Sequence, residues 1–89
     1  MKDQDQQWQP SLAPGMRLQF EQAQDCWVLL YPEGMVQLNT SAAEILKRCD
    51  GTKAIASITA ELEDLFNTRG IGHEVEQLAE EAKRRGWLI

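Results

Sequence analysis

The stretch from Leu29 to Gly51, LLYPEGMVQLNTSAAEILKRCDG, constrains the fold more than any other part of the chain. Apolar β-formers lead into Pro32-Glu33-Gly34, and a second short apolar segment, Met35 to Leu38, follows. Proline presets φ at the second position of a turn, and glycine accepts the conformations that close it. A segment with helical periodicity comes directly after and ends at Gly51. The stretch therefore predicts a β-hairpin that runs straight into a helix.

Two further segments have strand patterns, which gives three predicted strands in all. Met16 to Glu21 alternates apolar and polar residues, which is typical of a half-buried strand with Met16, Leu18 and Phe20 facing the core. Cys26 to Tyr31 is apolar on both faces and predicts a central strand covered on both sides. The short connections between the strands favour an antiparallel meander, which leaves the last strand, Met35 to Leu38, at a sheet edge.

The first predicted helix has a clear start, a clear stop and an apolar face. Ser41 and Glu44 have the spacing of a capping box, although Asn39 or Thr40 could supply the cap instead. Gly51 fits a left-handed stop. The apolar stripe consists of Ala42, Ile45, Leu46 and Cys49.

Two more helices are predicted before the chain ends. One runs from about Ile55 to Asn67, and its start is open because Thr52, Ser57 and Thr59 could each cap it; its stripe is Ile55, Ile58, Leu62, Leu65 and Phe66. The other runs from about His73 to Arg85 with the stripe Val75, Leu78, Ala79 and Ala82. Its i,i+4 spacing predicts the ion pairs Glu80–Arg84 and Glu81–Arg85. The order βββααα indicates an α+β domain.

The length of 89 residues fits one domain. Residues 1–10 are polar and glutamine-rich, which predicts a flexible N-terminal tail before a single domain over residues 11–89. Trp8 could dock onto that domain, but a loosely packed tail residue is the better supported interpretation.

The sequence disfavours nucleic-acid binding, a membrane span, a zinc site and a phosphate-binding loop. Fourteen acidic residues against nine basic ones give a net charge of −5, which disfavours nucleic acid as a ligand. No apolar run approaches the length of a membrane span. His73 is the single histidine, and Cys26 and Cys49 are too few and too far apart for a zinc site. No phosphate-binding glycine loop is present. We therefore expect a cytoplasmic protein that is not an enzyme and has no metal or cofactor.

With these classes of site disfavoured, a binding surface is the remaining candidate for function. An edge strand offers unpaired N–H and C=O groups that an extended peptide can fill by strand addition. If the third helix lies beside the edge strand Met35 to Leu38, the two elements form a groove. The edge strand could instead be capped or used for self-association. From residue spacing alone, we favour this interpretation over a free edge that binds a peptide.

A series of motifs, in order along nearly the whole chain, resembles the PqqD family, the peptide chaperones of pyrroloquinoline quinone biosynthesis. More broadly it resembles the recognition elements for ribosomally made precursor peptides. The similarity extends from about residue 10 to residue 88. The matching residues are Pro14, Gly15 and Arg17, the run LLYPEGMVQL, Asn39, Ser41-Ala42, Ile45-Leu46, Cys49-Asp50-Gly51, Ile58, Leu62, Val75 and Gly86-Trp87-Leu88.

The resemblance implies a winged-helix-like fold, with a three-stranded antiparallel sheet followed by three helices. It also implies a non-enzymatic role, in which the protein binds the precursor peptide PqqA by strand addition and presents it to the radical SAM enzyme PqqE. Carried onto this sequence, the peptide-binding residues are Met35, Val36, Gln37, Leu38, Glu74, Gln77, Leu78, Glu81 and Arg85.

The sequence departs from the family at three positions. Ala54 stands where a Ser or Thr usually caps the second helix, and Ala79 and Ala82 are smaller than usual. Three alternatives stay open: recognition of another ribosomally made peptide, a DNA-binding winged helix, and a weak, strand-exchanged dimer in place of a monomer. The DNA-binding alternative is disfavoured by the acids on the second helix, which are Glu61, Glu63 and Asp64.

Overall fold

The computed structural model describes residues 8–89, so most of the predicted N-terminal tail, residues 1–7, lies outside the described part. Three strands precede three helices, which confirms the predicted α+β order. The strands are β1 (Arg17–Glu21), β2 (Cys26–Tyr31) and β3 (Gly34–Leu38), and the helices are α1 (Thr40–Lys47), α2 (Ile55–Leu65) and α3 (Gly72–Arg84).

The sheet is an antiparallel meander in the order β1-β2-β3. Its register aligns Leu29 of β2 with Leu18 on one side and Val36 on the other. Within residues 8–89, β3 pairs with β2 and with no other strand. The predicted edge position of β3 is therefore confirmed.

The helices cover one face of the sheet. Leu29 and Leu38 belong to the same buried cluster as the apolar residues of all three helices. Val28 points to the opposite face, between Gln19 and Gln37 in the register, and is fully buried although no described helix packs there. The burial of Val28 and Leu29 on opposite faces confirms the prediction that β2 is a central strand covered on both sides. On this face the Gln37 side chain donates to Gln24, which lies in the turn between β1 and β2.

Asn39 caps α1, in agreement with one of the alternatives. It lies in extended backbone at the end of β3, and its Oδ1 accepts from the Ala42 N–H at 2.8 Å. The predicted capping box is wrong because Ser41 lies inside the helix, and Glu44 instead binds Arg48 at 2.8 Å and Lys47 at 3.1 Å. The Arg48 guanidinium, together with Lys47, holds the pKa of the Glu44 carboxyl below its usual range.

Helix α2 ends earlier than its apolar pattern predicts. Ile58 and Leu62 are buried, but Leu65 and Phe66 are 53% and 42% exposed, so the predicted stripe is wrong at its C-terminal end. The chain turns at Asn67, where φ is +53°. The Glu63 carboxylate draws the following loop back toward α2 by accepting from the Gly70 N–H at 2.8 Å.

The two chain ends form a terminal strap, defined here as residues 8–13 together with Trp87, Leu88 and Ile89. Ser11 and Ile89 exchange backbone hydrogen bonds of 3.2 and 2.9 Å, and the Ala13 N–H donates to the Trp87 carbonyl at 2.8 Å. Trp8 is part of this strap, because its indole N–H donates to the Ile89 carbonyl at 3.1 Å. The interpretation of Trp8 as a loosely packed tail residue is therefore wrong.

Candidate functional site

The side chains of β3 divide between the two faces of the sheet. Leu38 is buried and Val36 is half-buried, and both point toward the helices. Met35, 46% exposed, and Gln37 lie on the opposite face. Of the four β3 residues in the predicted site, Leu38 therefore has little side-chain surface to offer a ligand, and Val36 contributes only in part.

The backbone of β3 offers more than its side chains. Tyr31 and Gly34 flank the two-residue turn and are directly paired. Hydrogen-bonded and non-hydrogen-bonded pairs alternate along an antiparallel ladder. Counting from the turn, this alternation indicates that Val36 and Leu38 direct their backbone groups to β2, while Met35 and Gln37 direct theirs to the free side. The free edge therefore presents two N–H donors and two C=O acceptors.

Four of the predicted α3 residues share one open depression of about 540 Å³. Glu74, Gln77, Leu78 and Glu81 line it, together with Glu80 and Arg84, which were not predicted as site residues. No β3 residue contributes to this depression. The structure thus brings the α3 residues together but does not join them to residues 35–38 in one cavity.

Charge is distributed unevenly along this flank of α3. The predicted pair Glu81–Arg85 is present at 2.7 Å, whereas Arg84 pairs with Glu81 and not with the predicted Glu80. Hydrogen bonds from Arg85 and Arg84 hold the pKa of Glu81 below its usual range. Glu74, at the other end, forms no ion pair with any residue from 8 to 89. The flank is therefore acidic at the start of α3 and basic at its end.

Two partly covered apolar side chains, Val36 of β3 and Leu78 of α3, lie on the two elements of the predicted site. Val36 and Leu78 are both partly exposed and pack against the same buried cluster. Such half-covered apolar groups are suited to receive an apolar side chain of a ligand, because its burial removes further surface from water. The sequence contained the signal for both side chains, since each belongs to a predicted apolar face.

Groups suited to covalent or metal chemistry are sparse. Among residues 8–89, no three His, Cys, Asp or Glu side chains cluster as metal ligands would. Burial raises the pKa of Cys49 to about 12, which keeps its thiol protonated at neutral pH. No helix in the described part is long and apolar enough to cross a membrane.

The sequence matches a family profile and is similar to several named proteins. The profile of Coenzyme PQQ synthesis protein D (PqqD) matches residues 26–88. A PqqA binding protein of Azotobacter vinelandii is 50% identical over 80 residues, covering 89% of this chain and 87% of that protein. A PqqA binding protein of Methylococcus capsulatus is 44% identical over 77 residues, covering 86% and 83%.

A solved structure is similar as well. It is the solution NMR structure of the PqqD truncation of Methylobacterium extorquens PqqCD, described as a functional and stand-alone recognition element for ribosomally synthesized and post-translationally modified peptides. The TM-score is 0.69 at 29% identity, over 90% of this chain and 87% of the other. The sheet and the three helices thus correspond to a known recognition-element fold.

Proposed function

Because the chain belongs to the PqqD family, we propose that it binds a PqqA-like precursor peptide in pyrroloquinoline quinone biosynthesis and presents it to a PqqE-like radical SAM enzyme. Family membership makes the protein a recognition element and not an enzyme. Relatives that are up to half identical over nearly the whole chain are named for PqqA binding, which supports the choice of peptide.

The free edge of β3 carries the proposal. A peptide that adds as a fourth strand would satisfy the outward backbone groups of Met35 and Gln37, so its main chain supplies the affinity. Alternate side chains of an added strand point to opposite faces. Those on the helix side would rest against Val36 and Leu78, which are both only partly covered.

The α3 flank would then select the sequence of the peptide. Glu74 has no described cationic partner, and the excess of positive charge around Glu81 lies at Arg84 and Arg85. A peptide with a basic residue near Glu74 and an acidic residue near Arg85 would be favoured in one direction along β3. Electrostatic complementarity of this kind fixes register and rejects wrong partners more than it adds affinity.

Strand addition is tested by removing one backbone N–H donor, that of Gln37, from the free edge of β3. Gln37→Pro deletes the N–H that faces the free edge, and we expect the affinity for a PqqA peptide to fall by about tenfold, since one backbone hydrogen bond contributes about 1 kcal/mol and the proline ring also obstructs the edge. Binding is measured by isothermal titration calorimetry, and the amide signals of residues 35–38 are followed by NMR.

Gln37→Ala is the matched control. It removes the same side chain and its bond to Gln24 but keeps the backbone N–H, so we expect peptide affinity within about twofold of the unmodified protein. Equal affinities for the proline and alanine variants would exclude strand addition at this edge. Light scattering over a range of concentrations tests whether a second copy occupies the edge instead.

A further inference from the structure

A second groove lies on the other flank of α3. It has a volume of about 330 Å³ and is lined by residues of both α2 and α3, which pack against each other beneath it. In a helix of 3.6 residues per turn, Glu76 and Glu81 fall on opposite sides of the buried stripe that contains Val75 and Ala82. The α2–α3 groove, with Glu76 on its wall, therefore lies on the other side of α3 from Leu78 and Glu81.

The floor of this α2–α3 groove is apolar, and one of its walls is an aromatic ring held by two contacts. Ile55 and Ala79 are buried beneath it, and the small side chain of Ala56 leaves the space unfilled. The indole of Trp8 forms one wall. The Trp8 ring is held by the Ile89 carbonyl at 3.1 Å and by the Lys83 ammonium 4.8 Å from its centroid.

Two carboxylates line the groove without a cationic partner. Glu76 and Glu80 are both exposed and stand four residues apart, and neither forms an ion pair within residues 8–89. Arg84, which the spacing assigns to Glu80, pairs with Glu81 instead. Like charges four residues apart destabilise a helix. A cation that binds between Glu76 and Glu80 would relieve this repulsion and would also be attracted by both carboxylates.

We propose that the α2–α3 groove docks a segment of the modifying enzyme that carries a lysine or arginine. The aliphatic stem of that side chain lies on Ile55 and Ala79, and its cationic head lies between Glu76 and Glu80. Long basic side chains bury their stems on apolar surface while the charge stays in water, which matches an apolar floor with an acidic rim.

The choice of the enzyme as occupant rests on the proposed function. Presentation requires peptide and enzyme to be bound at the same time, so the enzyme needs a surface that the peptide leaves free. The two flanks of α3 provide this separation, because only Glu80 lines both the depression and the groove.

Charge reversal in the groove tests the proposal. Glu80→Lys and Glu76→Lys are each expected to weaken binding of the purified PqqE-like enzyme by about tenfold at low salt, with a smaller difference at high salt. Affinity of Glu76→Lys for the PqqA peptide alone should change by less than about twofold, because Glu76 lines the α2–α3 groove and not the depression on the other flank. Asp64→Lys makes the same charge change at a highly exposed carboxylate outside the groove and should leave enzyme binding unaltered.

Ala56→Trp tests the space without changing charge. It fills the groove from α2, and we expect it to weaken enzyme binding by at least about tenfold, while circular dichroism verifies the fold. Unchanged enzyme affinity in both Glu80→Lys and Ala56→Trp would overturn the proposal. So would loss of peptide affinity in Glu76→Lys, or self-association that depends on Glu76, since the occupant would then be the peptide or a second copy.

Different measurements would contradict the proposed function and the proposal for the α2–α3 groove. A wild-type chain that does not bind the PqqA peptide contradicts the proposed function, and this is measured without the enzyme. Peptide binding combined with enzyme binding that ignores Glu76, Glu80 and Ala56 contradicts the α2–α3 groove alone.

Discussion

At the scale of single residues, Asn39 determines where the edge strand stops and the first helix starts. Asn39, Thr40 and Ser41 are consecutive, and all three types are good caps. The sequence therefore narrows the cap to three neighbours but cannot choose among them. The choice depends on backbone conformation, because Asn39 alone combines the extended end of β3 with a side chain within reach of the Ala42 N–H.

Replacing Asn39 should reveal this choice. We expect Asn39→Ala to lower the free energy of unfolding by about 1 kcal/mol, since the Ala42 N–H loses its acceptor. Ser41→Ala should change it by less than about 0.5 kcal/mol, because Ser41 is an exposed residue inside the helix. Urea unfolding followed by circular dichroism measures both values, and a larger loss for Ser41→Ala would restore the capping box.

At the scale of elements, periodicity predicts which face of a helix is buried but not how far the packing surface extends. The stripes of α1 and α3 are buried as predicted, with Leu78 only half-covered. In α2 the same rule fails at Leu65 and Phe66, where the helix has run beyond its neighbours. The chain then turns back, and the Glu63 carboxylate accepts from the Gly70 N–H, a contact that no local pattern contains.

The two parts of the α2 stripe should respond differently to truncation. Leu62→Ala removes a buried side chain and leaves a cavity, so we expect a loss of about 2–5 kcal/mol in unfolding free energy. Leu65→Ala shortens a side chain that is 53% exposed and should cost less than about 1 kcal/mol. Comparable losses in thermal or urea unfolding would mean that Leu65 is buried in solution.

At the scale of the whole molecule, the sequence predicts the sheet order and the edge but not the terminal strap. Short connections leave a meander few alternatives, so the free edge of β3 follows from chain order. The strap joins Trp8 and Ile89, 81 positions apart, through single residues that have no periodicity. The sequence predicted the site residues on α3. It could not predict that they line a depression separate from β3, because that separation depends on how the elements pack.

The strap bears on where the domain begins. A tail over residues 1–10 and a domain over residues 11–89 remains a prediction, and we propose that the domain in fact extends to Trp8. A chain that starts at Trp8 should unfold at the same temperature as the full chain. One that starts at Ser11 loses the indole contact and the bond from the Gly51 N–H to the Pro10 carbonyl, so its Tm should fall by roughly 10 °C. Equal Tm values would leave the boundary at residue 11.

The strap also determines how the domain responds to mechanical force. The strap pairs its two segments in antiparallel directions, with Ser11 bonded to Ile89 and Ala13 bonded to Trp87. A pull on the two ends therefore loads the strap by peeling, so its hydrogen bonds break one after another and never share the load as they would in shear. The strap should therefore yield at low force, with Trp8 and Ile89 separating first, when the two ends of the domain are pulled apart.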